Sequence, residues 1–243
     1  MSTPPGPGTD REDGDHAGGA ADPGGAGPGP ARAAPPRLLL IADGFAAGRA
    51  ELDAEAIRER ALACVEAGVP WVSLRDHAAP PDVFAEAAEA FAASLRRARP
   101  GTVLSVHGRL DVARSLGAGL HVGRRGASLE DGVAAGLAGP VGVSAHSATA
   151  AVRAARGGAD YVTVSPVFRT RTHPNAEPAG IDVLRLAAER SGLPVLALGG
   201  MTPPRARIAR IVGAHGAAAV SGLLFAWDAA KTVRAFLDAV GEG

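Results

Sequence analysis

The segment LALGGMTP, residues 196–203, and the later segment AAVSGLL, residues 218–224, decide the fold class. Each is a short apolar run that ends in small residues, a glycine pair in the first case and Ser-Gly in the second. In barrels of alternating strands and helices, the last two such turns often hold a phosphate, because backbone N–H groups approach an anion closely where no Cβ intervenes. The glycines could instead only permit tight turns. Since both turns carry the feature, we predict a phosphate site at Gly200, Ser221 and Gly222.

The rest of the chain supports this fold. From Arg37 onward, short β-branched or leucine-rich runs alternate with longer alanine-rich stretches. This alternation is typical of a parallel sheet with helical connections. It predicts strands near residues 37–42, 70–74, 102–106, 119–122, 140–144, 160–164, 194–198 and 217–220. It predicts helices at residues 53–67, 81–98, 109–116, 128–136, 147–156, 180–191, 204–213 and 227–240. Eight such pairs favour an α/β TIM (β/α)8 barrel over a doubly wound open sheet, whose first loop usually carries GxGxxG.

Two regions differ in composition. Residues 1–36 consist largely of Gly, Pro, Ala and Asp, with no basic segment followed by an apolar one. Such a segment has too little apolar side chain to offset its ordering entropy, and it does not have the pattern of a signal peptide. We therefore expect a disordered tail at residues 1–36 and a catalytic TIM-barrel domain at residues 37–243.

Charge and cysteine content exclude several classes of protein. The chain has 25 basic and 25 acidic residues, so no overall field attracts nucleic acid or an anionic membrane. No apolar run approaches the roughly 20 residues that span a bilayer. Cys64 is the single cysteine, which excludes a disulfide framework or a thiolate cluster. We expect a cytoplasmic protein without nucleic-acid or membrane partners.

Histidines recur where strand-like runs end, at His77, His107, His121, His146 and His173. In a barrel the loops after the strands meet on one face, which carries the active site. A neutral imidazole can remove and return a proton near neutral pH. For His146 alone, a packing or capping role would be the simpler interpretation. Its position among other polar residues at strand ends favours a catalytic role.

Further polar residues follow the second, third and sixth strands. Arg75 suits a carboxylate or phosphate, and His77 and His107 are candidate substrate contacts. Asp76 could orient its neighbours, and Asp111 suits the first turn of a helix. Thr170 and Thr172 are candidate anion contacts in a long loop that could equally be a solvated polar loop. Because the histidines do not form HxH pairs beside carboxylates, we predict no metal and no cofactor.

Seven segments together resemble one known superfamily. They are SLRDHA, SVHGRLDVA, LHVGRRG, GVSAHS, GADYVTVSPVFRTRTH, PVLALGGMTP and GAAAVSGLL. In this order and spacing, from about Arg37 to the C-terminus, they resemble the superfamily of thiamin phosphate synthase and its TenI-like relatives. The resemblance implies a TIM barrel.

The resemblance is incomplete at residues that matter for the synthase. In that enzyme, aspartates after the third and fourth strands bind the magnesium that activates a pyrophosphate leaving group. The matching positions here are Gly108 and Gly126. The synthase also holds pyrophosphate with two lysines, and the matching positions are His77 and His173. Displacement of pyrophosphate without this charge compensation is unfavourable, so the resemblance argues against synthase activity.

The TenI-like relatives have glycine in the strand-three motif, a histidine after strand five and the GGMTP turn. The resemblance implies a thiazole tautomerase that aromatises a dihydrothiazole carboxylate phosphate, with His146 as catalytic residue. It is also compatible with a homo-oligomer. Two alternatives remain: thiamin phosphate synthase, and a non-catalytic regulator that binds thiazole phosphate.

Overall fold

A computed structural model of the chain describes residues 33–170 and 177–242. Eight parallel strands form a closed barrel in chain order, and the last strand pairs with the first. This confirms the predicted TIM-barrel fold. The strands are β1 (Leu38–Asp43), β2 (Trp71–Arg75), β3 (Val103–His107), β4 (Gly119–Val122), β5 (Val141–Ala145), β6 (Tyr161–Val164), β7 (Val195–Leu198) and β8 (Gly216–Ala219). Of the predicted tail, residues 1–32 lie outside the described residues.

Helices connect the strands on the outside of the barrel. Those found in the described part of the chain are α1 (Ala54–Glu66), α2 (Pro81–Ala98), α3 (Leu110–Ser115), α4 (Leu129–Ala134), α5 (Ala148–Arg156), α6 (Gly180–Ser191), α7 (Pro203–Ile211), α8 (Ser221–Leu224) and α9 (Ala229–Val240). The short helix α8 was not predicted. It begins at Ser221, so the predicted phosphate turn after β8 leads directly into a helical turn.

The helices lie on the barrel through small apolar side chains at helical spacing. In α1, Ile57, Ala61 and Cys64 are fully or almost fully buried. These positions recur every three to four residues and therefore share one face of the helix. Cys64 lies on this buried face, and burial raises the pKa of its thiol to about 11.

Within residues 33–170 and 177–242, no helix is both long and apolar enough to cross a bilayer.

Two neighbouring strands, β5 and β6, carry polar side chains inside the barrel. Successive side chains of a strand alternate between its two faces, and the register aligns Ser144 of β5 with Thr163 of β6. Thr163 is completely buried, and its hydroxyl has no hydrogen-bond partner among the described residues. A buried hydroxyl without a partner costs stability because it has lost its hydrogen bonds to water.

This hydroxyl predicts an unusual response to substitution. We expect Thr163→Val to leave the free energy of unfolding unchanged or to raise it by about 1 kcal/mol, because valine keeps the shape and removes the unpaired hydroxyl. Thr163→Ala is the control, since it also deletes a buried methyl group and should destabilise the protein. Urea unfolding of the three proteins measures both effects. A clear loss of stability in Thr163→Val would show that the hydroxyl has a partner.

Candidate active site

A cavity of about 510 Å³ opens where the carboxyl ends of β5 to β8 meet. Its volume suits a small ligand. Its wall includes six of the residues predicted from the sequence: Arg75, His146, Thr170, Gly200, Ser221 and Gly222. The cavity therefore brings a basic side chain, an imidazole and the two glycine turns to one place.

The imidazole of His146 is held in a defined orientation. His146 directly follows β5 and is exposed, and its Nδ1 lies 2.6 Å from the carbonyl oxygen of Ser165. A carbonyl oxygen only accepts hydrogen bonds, so in the neutral ring Nδ1 carries the proton and donates it. Nε2 then has a free lone pair. The next residue, Ser147, has a separate role, because its hydroxyl accepts from the N–H of Ala150 and caps α5.

The two turns after β7 and β8 are packed against other backbone segments. Gly200 has a positive φ of 62°, and a Cβ there would overlap the carbonyl oxygen of Arg169. A Cβ at Gly222 would overlap the carbonyl oxygen of Met201. Because the backbone segments approach so closely, both positions require glycine. This agrees with the interpretation that the glycines permit tight turns.

The same turns also present hydrogen-bond donors. Among the described residues, no protein group accepts a hydrogen bond from the backbone N–H of Gly200, Ser221 or Gly222. Arg205 meanwhile binds the carbonyl oxygen of Gly200 at 2.6 Å. Backbone N–H groups without protein acceptors at a cavity wall are suited to bind an anion. Tight turns and anion binding are thus compatible at these positions.

Arg75 reaches the cavity from β2 and is held by a carboxylate that the sequence analysis did not single out. Its Nε lies 2.7 Å from Oδ1 of Asp43, and Asp43 also pairs with Arg49. Burial acts to raise the pKa of Asp43, but the hydrogen bond and charge of Arg75, with the charge of Arg49, hold it below its ordinary value. No described residue accepts from the terminal nitrogens of Arg75, so they are available to an anion.

Asp76 organises the neighbouring loops. Its carboxylate accepts hydrogen bonds from the backbone N–H of Ala46, Ala47, Ala78 and Ala79 at 2.8–3.1 Å. These bonds join the loop after β1 to the loop after β2. Asp76 is buried and saturated by these bonds, so it orients its neighbours, as the sequence suggested. Asp111 is found in the first turn of α3, also as expected.

His77 and His107 lie outside the cavity. They line a neighbouring depression over the ends of β2 to β4, with Arg109 and Arg125. Burial first, and then the charge of Arg75, lower the pKa of His77. For His107, burial first and then the nearby histidines and Arg75 lower the pKa to about 2. Their proposed contact with substrate therefore remains a prediction.

One expectation from the histidine pattern was wrong. His121 does not lie at the mouth of the barrel, because it is a buried residue of β4 whose ring points into the interior. Burial lowers its pKa to about 3. His121 lies within the predicted strand, one residue before its end at Val122, and its side chain faces inward. Thr172 and His173 lie outside the described residues.

A further cavity residue, Ser144, precedes His146 and was not among the site residues predicted from the sequence. It lies on β5 two residues earlier, lines the cavity and bonds Nε2 of His121 at 2.9 Å. The available signal was strand alternation, because residues two apart on a strand face the same side.

The residues after β3 and β4 do not fit a magnesium ion. Gly108 and Gly126 have positive φ values of 72° and 92°. A Cβ at Gly108 would lie 2.9 Å from the carbonyl oxygen of Arg125, and a Cβ at Gly126 would overlap that of Gly108. Glycines of the two loops therefore contact each other at the positions where a magnesium site would need carboxylates. Across the described residues, no group of three or more His, Cys, Asp or Glu side chains is placed to bind a metal.

The Asp43–Arg75 pair predicts a pH-dependent stability. Because the folded pKa of Asp43 is lowered, its ion pairs stabilise the protein above the ordinary pKa of about 3.9, and this stabilisation is lost as pH falls through the folded pKa. We expect Asp43→Asn to lower the free energy of unfolding by about 2 kcal/mol at pH 7. The difference from wild type should shrink below about pH 4. Denaturant unfolding at pH 7 and pH 3 measures it, and a pH-independent difference would contradict the ion-pair explanation.

Comparison with known proteins gives the family. The family model described as thiamine monophosphate synthase matches residues 45–223. A thiamine-phosphate synthase of Chloroflexus aurantiacus is 36% identical over 85% of this chain and 94% of its own length. The bifunctional protein ThiM/ThiE of Symbiobacterium thermophilum is 36% identical over 73% of this chain, and the match spans 37% of that protein.

Solved structures agree with the sequence comparison. The thiamine phosphate pyrophosphorylase from Pyrococcus furiosus is 25% identical, with a TM-score of 0.71 over 85% of this chain and 96% of that one. The predicted superfamily is therefore correct, while the names of the relatives correspond to the synthase rather than to the tautomerase. On the extent of the family match and these identities, the chain belongs to the thiamine monophosphate synthase family.

Proposed function

We propose that this protein is a thiazole tautomerase of thiamin biosynthesis, which aromatises a dihydrothiazole carboxylate phosphate. The observation that carries the proposal is the His146–Ser165 hydrogen bond, which leaves Nε2 of His146 with a free lone pair at the cavity. A 1,3-proton shift needs one group that removes a ring proton and then returns a proton to a different ring atom. His146 can perform both steps.

The other cavity residues provide binding and orientation. The N–H groups of Gly200, Ser221 and Gly222 hold the phosphate, and the terminal nitrogens of Arg75 face the carboxylate. Fixing both anionic ends orients the ring toward Nε2 of His146, and such positioning is itself a large part of catalysis. The proton taken by Nε2 returns to the substrate, so the enzyme ends the cycle unchanged. Aromaticity of the product supplies the thermodynamic drive.

A synthase is the second candidate, because the relatives carry that name. It would join a thiazole phosphate to a pyrimidine pyrophosphate and release pyrophosphate. The geometry of Gly108 and Gly126 argues against it, since carboxylate side chains at these positions would collide with backbone oxygens. Chemistry on the β5–β8 side, where the cavity lies, does not depend on these two residues.

Substitution of His146 tests the tautomerase. We expect His146→Ala to lower the rate of aromatisation by about 10²- to 10⁴-fold, the usual contribution of general acid–base catalysis. His146→Gln should be equally slow, because its amide can bond the Ser165 carbonyl but cannot take up a proton. The rate is followed by the absorbance of the aromatic thiazole in the presence of a chelator.

The matched control is a histidine remote from the cavity. His215 precedes β8, and its Nε2 bonds the carbonyl oxygen of Pro35 at 2.7 Å. His215→Asn should retain the wild-type rate. If wild type bound the substrate without accelerating its aromatisation, the tautomerase proposal would be wrong and a binding protein would remain.

The two candidate reactions give different products. With magnesium, thiazole phosphate and pyrimidine pyrophosphate, we expect no pyrophosphate release above background. Chelation of magnesium should leave aromatisation unchanged. Pyrophosphate release that depends on magnesium would favour the synthase over the tautomerase, and a coupled phosphate assay detects it directly.

A further inference from the structure

Five rings contact one another in a row that runs from the interior of the barrel to its exposed mouth, which we call the ring column: Trp71, Tyr161, His121, His107 and His77. Neighbouring ring centroids are 4.7–5.6 Å apart. The proposed reaction uses none of these rings. Three of them, however, are joined by hydrogen bonds to serines of the same interior.

These hydrogen bonds form a continuous chain that ends at the cavity. The indole N–H of Trp71 lies 3.2 Å from the hydroxyl of Ser105, and Ser105 in turn hydrogen-bonds the phenol of Tyr161. The phenol oxygen lies 2.9 Å from Nδ1 of His121. Nε2 of His121 lies 2.9 Å from the hydroxyl of Ser144, which lines the cavity beside His146.

The donors and acceptors of this hydrogen-bond chain have a preferred order, because an indole N–H can only donate. Ser105 accepts from Trp71, so its own proton points to Tyr161. The phenol oxygen of Tyr161 accepts this hydrogen bond, and the phenol O–H donates to Nδ1 of His121. The reverse order would leave the hydroxyl proton of Ser105, which is fully buried, without an acceptor among the described residues. A buried donor without a partner costs about 1–3 kcal/mol.

The same order of donor and acceptor continues from His121 to Ser144. Burial lowers the pKa of His121 to about 3, so the ring is neutral near neutral pH and carries one proton. With Nδ1 accepting from Tyr161, that proton is on Nε2 and points to Ser144. Ser144 does not bond the adjacent Thr163, whose hydroxyl has no partner in the described part of the chain. The proton of Ser144 is therefore directed into the cavity.

We propose that the chain from Trp71 through Ser105, Tyr161 and His121 fixes Ser144 as a hydrogen-bond donor toward the ligand. Ser144 then selects a ligand that places a hydrogen-bond acceptor there, such as a carboxylate, and disfavours one that places an N–H donor. The identity of this acceptor as the substrate carboxylate rests on the proposed tautomerase function. The direction of the chain does not.

The first test is independent of activity. In protein labelled with ¹⁵N-histidine, NMR should find His121 as the neutral tautomer with Nε2 protonated and Nδ1 unprotonated from pH 5 to pH 8. His121→Gln assigns the signals, and Tyr161→Phe should shift Nδ1 because it removes the donor. If His121 carried its proton on Nδ1, or became charged in this range, the proposal would be overturned.

The second test measures selectivity. The aromatic thiazole carboxylate phosphate and the thiazole phosphate without the carboxylate differ only in the acceptor group that would meet Ser144. We expect wild type to prefer the carboxylate, and Ser144→Ala to lose about tenfold to a hundredfold of affinity for it. Affinity for the analogue without the carboxylate should change much less. Thr163→Val, which removes a hydroxyl at the same level of the barrel, should leave both affinities unchanged.

The outcomes separate the two proposals. If neither thiazole binds, the tautomerase function fails, while the NMR result still decides the direction of the chain. If both bind and Ser144→Ala weakens them equally, Ser144 does not select an acceptor and the inference is wrong. If wild type also fails to aromatise the dihydrothiazole but keeps the Ser144-dependent preference, only the tautomerase proposal is lost.

Discussion

A polar side chain placed inside a closed barrel must find its partner inside that barrel, because water does not reach it. Here the partners lie on different strands. His121 on β4 bonds Tyr161 on β6 and Ser144 on β5. The rings fit only because glycines stand opposite them: a Cβ at Gly142 would overlap the Tyr161 ring, and one at Gly123 would overlap His107. The interior rings therefore fit only where the positions opposite them are glycine.

This packing divides the mouth of the barrel into two regions. Over β2 to β4, histidines and arginines lie around loops that pack glycine against glycine. Over β5 to β8, the cavity has His146, Ser144 and backbone N–H groups of the glycine turns. Members of one fold family can keep the barrel and the glycine turns while changing the chemistry, because function depends on the residues at strand ends. The changes at Gly108 and Gly126 fall where such a difference would arise.

The sequence predicted the barrel well because its two signals, apolar strand runs and alanine-rich helices, are local. All eight strands were found within about two residues of their expected positions, and even the short strand Gly119–Val122 was correct. The cavity residues Arg75 and His146 were found because both stand at strand ends. The error at His121 has a different origin, since its strand was predicted with the correct bounds. The bounds of a strand do not show which face each residue occupies, and the side chain of His121 faces the interior rather than the mouth.

Contacts across the barrel could not be predicted in this way. Tyr161 and His121 are separated by 40 residues in the sequence, and Arg75 and Asp43 by 32. Each pair depends on strand register, which emerges only when the barrel closes. The short helix α8 was missed because four residues are too few for a periodic pattern.

The histidines also show why residue type alone does not identify a proton-transfer group. His121 is buried and His107 is half-buried, and the loss of water around a charged ring lowers their pKa values to about 3 and about 2. Neither holds an extra proton at neutral pH, so both rings are neutral, and His121 is also a hydrogen-bonding group. His146 has the same side chain but is exposed, and the Ser165 carbonyl fixes its ring. The proposed tautomerase reaction requires a group that gains and loses a proton in each cycle, and an exposed position suits such a group better than a buried one, because burial disfavours the charged ring.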